Sequence, residues 1–272
     1  MKTLLFQEPV VSVPWLHDNL EHKNLIILDG TINKVFNEDQ PQIPGARFFD
    51  IKNKFSNTAD PFPSAFPSKE LFETSARELG INNDSAIVVY DDKGIYSSAR
   101  VWWLFKAFGY NNVAVLDGGF PEWLKHKFPT ESMKPYAGES GNFEAHLKPE
   151  LMQFFNDVKA ASNNKTHTII DARSAGRFNC TEPEPRAGLR MGTIPNSVNL
   201  PFEDLLNGHV LISKAEIASK FKPLASPEDP LIFSCGSGLT ACVLALGAEI
   251  SGYKNMAVYD GSWTEWGSLV PE

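Results

Sequence analysis

An internal repeat constrains the fold of this 272-residue chain more than any other feature of its sequence. The segment GYNNVAVLDGGFPEW, residues 109–123, matches GYKNMAVYDGSWTEW, residues 252–266, at an offset of 143 residues. Three further pairs of segments match in the same order: 25–31 with 168–174, 42–51 with 193–202, and 86–92 with 231–237. The shared order indicates that one structural unit has been duplicated, so we expect two similar halves.

Each half alternates two kinds of segment. Short apolar runs rich in β-formers, such as 87–90 and 231–234, are typical of buried parallel strands. Longer stretches between them, such as 97–108 and 240–250, have the length and composition of helices. This alternation predicts an α/β fold in which each half is a mostly parallel central sheet flanked by helices.

The boundary between the halves is predicted from a stretch without clear periodicity. Residues 128–148 contain two prolines and two glycines, which is typical of a linker. We therefore expect an N-terminal domain over 1–127 and a C-terminal domain over 149–272.

Charge and cysteine content exclude several classes of protein. The net charge of −8 argues against nucleic acid or an anionic membrane surface as the main partner. No segment approaches the length of about 18 apolar residues that a membrane span needs, and Gln7, Glu8 and Pro9 interrupt the apolar start too early for a signal peptide. Three cysteines are too few for a disulfide framework and lack the spacing of a zinc site, so we expect a cytoplasmic protein without metal or cofactor.

The two halves differ most where one strand ends. In the second half the run 231–234 leads into Cys235 and then into Gly236 and Gly238. When the two runs are aligned on the ends of the predicted strands, the first half has Asp91 opposite Cys235, and its loop is one residue longer. A packing cysteine would not require an altered, glycine-rich loop. The asymmetry favours one working site in the second half and a degenerate first half, over the alternative that Cys235 is a small core residue.

The loop after Cys235 is suited to hold an anion. Gly236 and Gly238 permit close backbone approach, so the amides of these residues and of Leu239 are predicted to form an anion-binding nest. A helix beginning near Thr240 adds the positive end of its dipole. A thiol at this place is expected to ionise more readily than at the free value of about 8.5, which favours Cys235 as a nucleophile.

An anion site with a thiolate suggests two classes of enzyme, cysteine phosphatases and enzymes that transfer sulfur. Ser237 and Thr240 supply hydroxyls that could donate to the sulfur of Cys235 or reach a substrate. Cysteine phosphatases need an arginine six residues after the cysteine, to clamp the phosphate, but this chain has Ala241 there. The remaining class is sulfur transfer, in which the thiolate takes a sulfur atom, becomes a persulfide and passes that sulfur to an acceptor.

The other two cysteines are assigned differently. Cys242 lies two helical turns into an apolar stretch and is predicted to be a core residue. Cys180 lies in a polar loop, where it is either a bystander or a residue with a redox role.

Several longer segments support a family resemblance. They are RVWWLFKAFG (100–109), LDGGFPEW (116–123), GRFNCTEPEPRAG (176–188), CGSGLTA (235–241) and YDGSWTEW (259–266). Together they resemble two-domain rhodanese-type sulfurtransferases, specifically the 3-mercaptopyruvate branch, over essentially the whole chain. The resemblance implies tandem rhodanese-like domains, a persulfide on Cys235, release of pyruvate, and a small thiol, thioredoxin or cyanide as acceptor.

The resemblance also implies where the donor binds. Arg177 and Arg186 would hold the carboxylate of 3-mercaptopyruvate, a task that suits the planar arginine fork. The alternative is that both are surface arginines that balance the charges of Glu182 and Glu184. The thiosulfate branch carries charged residues after the cysteine, whereas the loop here is neutral. A thiosulfate sulfurtransferase and a non-enzymatic persulfide carrier are the alternative hypotheses.

This chain departs from the family pattern at four positions. Gln42 and Thr193 stand where family members commonly have histidine, and Asn196 replaces a glycine. Lys52 stands where some members place the acid of a proton relay, and no histidine occurs between His22 and His126. A relay through histidine is therefore not expected, and proton transfer would fall to Ser237, Thr240, water or the substrate.

Overall fold

The computed structural model describes residues 3–271, which divide into two compact units. Unit 1 comprises the chain up to Thr58, residues Phe66–Lys148 and residues Gly208–Leu211. Unit 2 comprises Ala59–Ala65, Pro149–Asn207 and the chain from Ile212 onward. Among the described residues, no helix is both long enough and apolar enough to cross a membrane.

Unit 1 is built around a five-stranded parallel sheet. Its elements in chain order are β1 Val10–Val11, α1 Val13–Asp18, β2 Leu25–Asp29, β3 Pro41–Gln42, β4 Arg47–Phe48, α2 Lys69–Glu78, β5 Ala86–Tyr90, α3 Ser98–Ala107, β6 Val113–Leu116, α4 Gly119–Lys125 and β7 Glu131–Ser132. The strand order in the sheet is β1-β6-β5-β2-β4. Strands β3 and β7 form a separate antiparallel pair.

The chain after residue 148 repeats this plan. Its elements are β8 Met152–Gln153, α5 Phe155–Asn164, β9 Thr168–Asp171, α6 Ala175–Phe178, β10 Ser197–Asn199, β11 Leu206–Asn207, β12 Val210–Leu211, α7 Lys214–Phe221, β13 Leu231–Ser234, α8 Ala241–Ile250, β14 Met256–Tyr259 and α9 Ser262–Leu269, with short 3₁₀ turns at Pro149–Leu151 and Phe202–Leu205. The sheet of unit 2 is also parallel, in the order β8-β14-β13-β9-β10.

The two sheets have the same topology, which confirms the predicted α/β fold with one parallel sheet in each half. Strands β5 and β13 are buried along their whole lengths, as expected for central strands covered on both faces. Helices α3 and α8 are almost entirely buried as well. Each central strand therefore leads from the buried core into a loop. The first residue of that loop is Asp91 in unit 1 and Cys235 in unit 2.

Residues 128–148, for which we predict a linker, pack along unit 1. The side chains of Met133 and Phe143 are buried there. At the end of the segment, the N–H of Lys148 donates to the carbonyl oxygen of Ala107 at 2.7 Å. These contacts make the segment part of unit 1 as far as Lys148.

Two of the departures from the family pattern have structural explanations. The buried amide of Gln42 donates to the carbonyl of Ala46 and to Glu131, both at 3.0 Å, so this side chain joins β3 to β7. Asn196 adopts φ +62°, close to the φ of +77° at the matching Gly45. Asparagine is among the few side chains that tolerate this left-handed conformation, so the turn survives the replacement.

Candidate active site

Cys235 lies at the carboxyl end of β13, in front of the first turn of α8. The residue is 1% exposed, and the loop from Gly236 to Thr240 separates it from the helix. Gly238 has φ +74°, a left-handed conformation that favours glycine. The carboxyl end of a central parallel strand, facing a helix N-terminus, is where open α/β sheets bind ligands.

The amides of this loop are available to an anion. Four N–H groups of the loop donate to no acceptor among residues 3–271: those of Gly236, Ser237, Leu239 and Thr240. Buried or half-buried amides are normally paired, so an unpaired series indicates a place for a bound negative group. The ten-residue helix α8 adds its positive end, because its N-cap makes no side-chain hydrogen bond.

Ser262, which the sequence analysis did not single out, holds the loop from the side. Its hydroxyl oxygen accepts the N–H groups of Cys235 at 3.0 Å and Gly238 at 3.1 Å. The same hydroxyl lies 2.9 Å from the carbonyl oxygen of Tyr259 and 3.9 Å from Sγ of Cys235. Ser262 is fully buried and has φ +49°, a strained conformation for a residue with a side chain.

Thr264 holds the loop at a second point. Its N–H donates to the carbonyl oxygen of Gly236 at 2.9 Å, and its hydroxyl donates to the same oxygen at 2.5 Å. The N–H of Trp263 donates to the carbonyl oxygen of Cys235 at 3.0 Å. The first turn of α9 therefore fixes the carbonyl groups of Cys235 and Gly236.

The predicted donor-binding arginines both lie at this loop. Arg177, on α6, places Nη2 so close that a Cβ added to Gly236 would lie 2.9 Å from it, so the approach depends on glycine. Nη1 of Arg186 donates to the hydroxyl of Thr264 at 2.7 Å, and Thr264 in turn bonds Gly236. The structure therefore places Arg177 beside Gly236 and connects Arg186 to Gly236 through Thr264.

Arg177 is oriented by a buried chain of charges. Its Nη2 pairs with Glu184 at 2.6 Å, and Glu184 also pairs with Arg173 at 2.7 Å. Arg173 completes the chain through Asp171, at 2.7 Å from its carboxylate. Although burial lowers it, the carboxylates of Asp171 and Glu184 raise the pKa of Arg173 above its ordinary value, so Arg173 stays charged. The sequence analysis weighed Glu184 only as a surface counter-ion and missed this network.

The remaining predicted residues lie on or near the loop. Ser237 is half-buried and Thr240 is 8% exposed, and neither hydroxyl has a hydrogen-bond partner among residues 3–271. Cys242 is fully buried in α8, which confirms its assignment to the core. Cys180 is exposed, with φ +59°, in the loop that follows α6.

Chemically, the arrangement places a thiol beside two kinds of support for negative charge. The loop amides can stabilise a thiolate or a persulfide at Cys235, and the loop itself carries no charged side chain. Two guanidinium groups, that of Arg177 beside Gly236 and that of Arg186 on Thr264, can bind the carboxylate of a small substrate.

Comparison with known proteins places this chain in a family. A model described as a rhodanese-like domain matches residues 12–126 and again residues 155–269. The chain is 37% identical to the 3-mercaptopyruvate sulfurtransferase of Escherichia coli (strain K12), covering 95% of this chain and 94% of that protein. It is also 37% identical to the thiosulfate sulfurtransferase of Rattus norvegicus, covering 96% and 93%. Identity alone therefore does not separate the two donors.

Comparison with solved structures also finds a protein with the rhodanese fold. The crystal structure of SseA from Escherichia coli, whose description refers to the rhodanese fold and to 3-mercaptopyruvate sulfotransferases, superposes with a TM-score of 0.82. The sequences are 33% identical, and the match covers 94% of this chain and 99% of that one.

Proposed function

Since the chain belongs to the rhodanese-like family, we propose that it is a sulfurtransferase that takes sulfur from 3-mercaptopyruvate and releases pyruvate. One observation carries the proposal. Cys235 heads a neutral loop in which four amides have no acceptor among residues 3–271, and two arginines reach that loop. A thiolate nucleophile and a carboxylate site are the two groups that this donor requires.

The first half-reaction forms a persulfide. The Cys235 thiolate attacks the sulfur of 3-mercaptopyruvate, the new S–S bond forms, and the C–S bond of the donor breaks. The electron pair of that bond leaves with the enolate of pyruvate, which takes a proton to complete the product. Arg177, Arg186 and the loop amides stabilise the negative charge that develops, a form of stabilisation that often dominates catalysis.

The second half-reaction empties the site. An acceptor thiolate, or cyanide, attacks the outer sulfur of the persulfide, and the electrons of the S–S bond return to Cys235 as thiolate. The loop amides hold a negative sulfur both before and after this step. We propose a small thiol or thioredoxin as the acceptor. Among the described residues, Cys180, Cys235 and Cys242 form no disulfide, which favours a reducing compartment, and we propose the cytoplasm.

The donor is tested by incubating the protein with 3-mercaptopyruvate and measuring pyruvate and intact mass. We expect one added sulfur on the Cys235 peptide together with pyruvate, and neither in Cys235→Ser. Pyruvate release by Cys235→Ser at the parent rate would overturn the assignment of the nucleophile. If the protein forms no pyruvate from 3-mercaptopyruvate but takes up one sulfur on Cys235 from a small-molecule persulfide, the result would instead support a non-enzymatic persulfide carrier.

Thiosulfate is the second candidate donor, favoured by the similarity to a thiosulfate sulfurtransferase. The neutral loop argues for 3-mercaptopyruvate, because the dianion thiosulfate would gain more from charged loop residues. Measuring kcat/KM for both donors on the same preparation separates the two. A clear preference for thiosulfate would refute our choice.

A further inference from the structure

The hydroxyl of Thr264 connects a substrate arginine to the catalytic loop. Nη1 of Arg186 lies 2.7 Å from Oγ1 of Thr264, and this oxygen lies 2.5 Å from the carbonyl oxygen of Gly236. A guanidinium can only donate and a carbonyl can only accept, so the direction of both hydrogen bonds is fixed. Arg186 donates to the hydroxyl, and the hydroxyl donates to Gly236.

Burial shows which partner is the anchor. Thr264 is 6% exposed and is held by its own N–H as well, which donates to Gly236 at 2.9 Å. Arg186 is exposed and lies in a loop outside any helix or strand. Holding a long arginine in one rotamer costs side-chain entropy, so a fixed acceptor at its tip is needed to keep it in place.

The two arginines are held in different ways. Arg177 is paired with the buried carboxylate of Glu184, at 2.6 Å. For the guanidinium of Arg186, the hydrogen bond to Thr264 is the single polar contact that the described residues 3–271 make, and no carboxylate among them pairs with it. Thr264 occupies one N–H of five, so the charge and the other donors of Arg186 stay free for an incoming carboxylate.

The repeat supplies an internal comparison for this contact. The position that matches Thr264 in the first half is Pro121, which has neither a hydroxyl nor a backbone N–H. The neighbouring contact is kept, since the N–H of Phe120 donates to the carbonyl of Asp91 at 3.0 Å. The half that lacks the cysteine therefore also lacks both hydrogen bonds that Thr264 donates to Gly236.

We propose that Thr264 is a positioning residue, which sets the affinity for the carboxylate of the sulfur donor by fixing Arg186 beside the Cys235 loop. This inference rests on the proposed function, in which Arg186 binds the carboxylate of 3-mercaptopyruvate. Thr264 itself is not expected to touch the reacting sulfur.

The test uses the isosteric variant Thr264→Val and the conservative variant Thr264→Ser. Thr264→Val should lower kcat/KM for 3-mercaptopyruvate by about tenfold, because it removes a hydrogen bond to a charged group. The loss should fall on KM, with kcat within about twofold of the parent, and Thr264→Ser should restore the parent value within about twofold. Equal values for Thr264→Val and the parent would overturn the proposal.

A double-mutant cycle shows whether Thr264 acts through Arg186. In an Arg186→Ala background, adding Thr264→Val should cause no further loss of kcat/KM. A second, independent loss of about tenfold would mean that Thr264 acts on the loop and not through the arginine, which contradicts the proposal.

A readout without turnover separates this inference from the proposed function. Iodoacetamide alkylation is followed on the Cys235 peptide, because Cys180 is exposed and also reacts. The intrinsic rate should stay within about twofold in Thr264→Val, since its N–H still bonds Gly236, whereas protection by pyruvate should require about tenfold more pyruvate. If the parent forms no pyruvate from 3-mercaptopyruvate, the proposed function fails. Protection by pyruvate that is equal in parent and Thr264→Val refutes the positioning role whatever the donor is.

Discussion

The loops that follow β5 and β13 occupy equivalent places in the two sheets and handle negative charge in opposite ways. In unit 1 the carboxylate of Asp91 accepts the backbone N–H groups of Lys93 at 2.9 Å and of Tyr96 and Ser98 at 2.8 Å each. In unit 2 the first loop residue is Cys235, and four amides of its loop have no acceptor among residues 3–271.

This difference concerns how the same loop position is filled in the two units. Backbone amides at the end of a parallel strand favour a negative group. Unit 1 supplies one from its own chain, the buried carboxylate of Asp91. Unit 2 has a thiol at that position and no internal acceptor for four amides among residues 3–271. Under the proposed function, the same topology gives stability in one half and chemistry in the other.

The largest effect is expected when the cysteine of unit 2 is replaced by aspartate, the residue at the equivalent position of unit 1. Cys235→Asp should reduce pyruvate formation from 3-mercaptopyruvate by at least about 10³-fold, since no nucleophilic sulfur remains. If the new carboxylate takes the free amides, the free energy of unfolding should be no lower than that of Cys235→Ser. A value lower by more than about 2 kcal/mol would show that the loop of unit 2 cannot hold an internal anion.

The reverse test removes the internal anion of unit 1. Asp91→Ala leaves three backbone N–H groups without their acceptor, so the free energy of unfolding in urea should fall by about 2–4 kcal/mol.

The matched control is the exposed neighbour Asp92. Partial burial and the nearby carboxylates of Asp91 and Asp29 raise the pKa of Asp92, so its removal relieves repulsion. We expect Asp92→Ala to change stability by less than about 0.5 kcal/mol. Equal losses for the two variants would contradict the role given to Asp91.

A third test concerns the residue that differs at the start of the following helix. Gly119 in unit 1 and Ser262 in unit 2 match in the repeat and share left-handed backbones, with φ +53° and +49°. Ser262→Gly relieves strain but removes the oxygen that accepts two loop amides. We expect kcat/KM to fall by about tenfold while the urea midpoint changes little. A parallel loss of stability and activity would mean that the hydroxyl serves folding alone.

The smallest expected effect comes from filling the space over Gly236. In Gly236→Ala the added Cβ would lie 2.9 Å from Nη2 of Arg177, whose position Glu184 fixes. The arginine must shift by a few tenths of an ångström, so KM for 3-mercaptopyruvate should rise by about three- to tenfold. In an Arg177→Ala background the same change should have no effect, and a persistent rise in KM would point to the loop backbone instead.

Most of the fold could be predicted because its signals are local and repeated. Apolar runs such as 231–234 have the composition of buried central strands, and the second copy of each pattern removes the ambiguity of the first. The loop after Cys235 was also accessible, since glycines and a thiol at a strand end indicate their chemistry without knowledge of distant contacts.

The rest of the site depends on contacts that no local pattern records. Ser262 lies 27 residues from Cys235, and its importance is visible only once its backbone conformation and two amide contacts are known. Glu184 looked like a surface counter-ion because loops rich in charge usually are solvated, whereas its side chain is 1% exposed between two arginines. One signal was available in the repeat itself, the change from Gly119 to Ser262 at an otherwise matching position.

The contacts that α9 makes with the Cys235 loop have a consequence for how the protein is made. Cys235 is synthesised before Ser262 and Thr264, the residues that shape its loop. At a synthesis rate of about 5–20 residues per second, these two residues are added on the order of seconds after Cys235. During that interval the nascent chain carries Cys235 without the contacts of Ser262 and Thr264, and only the docking of the last helix completes the shape of its loop.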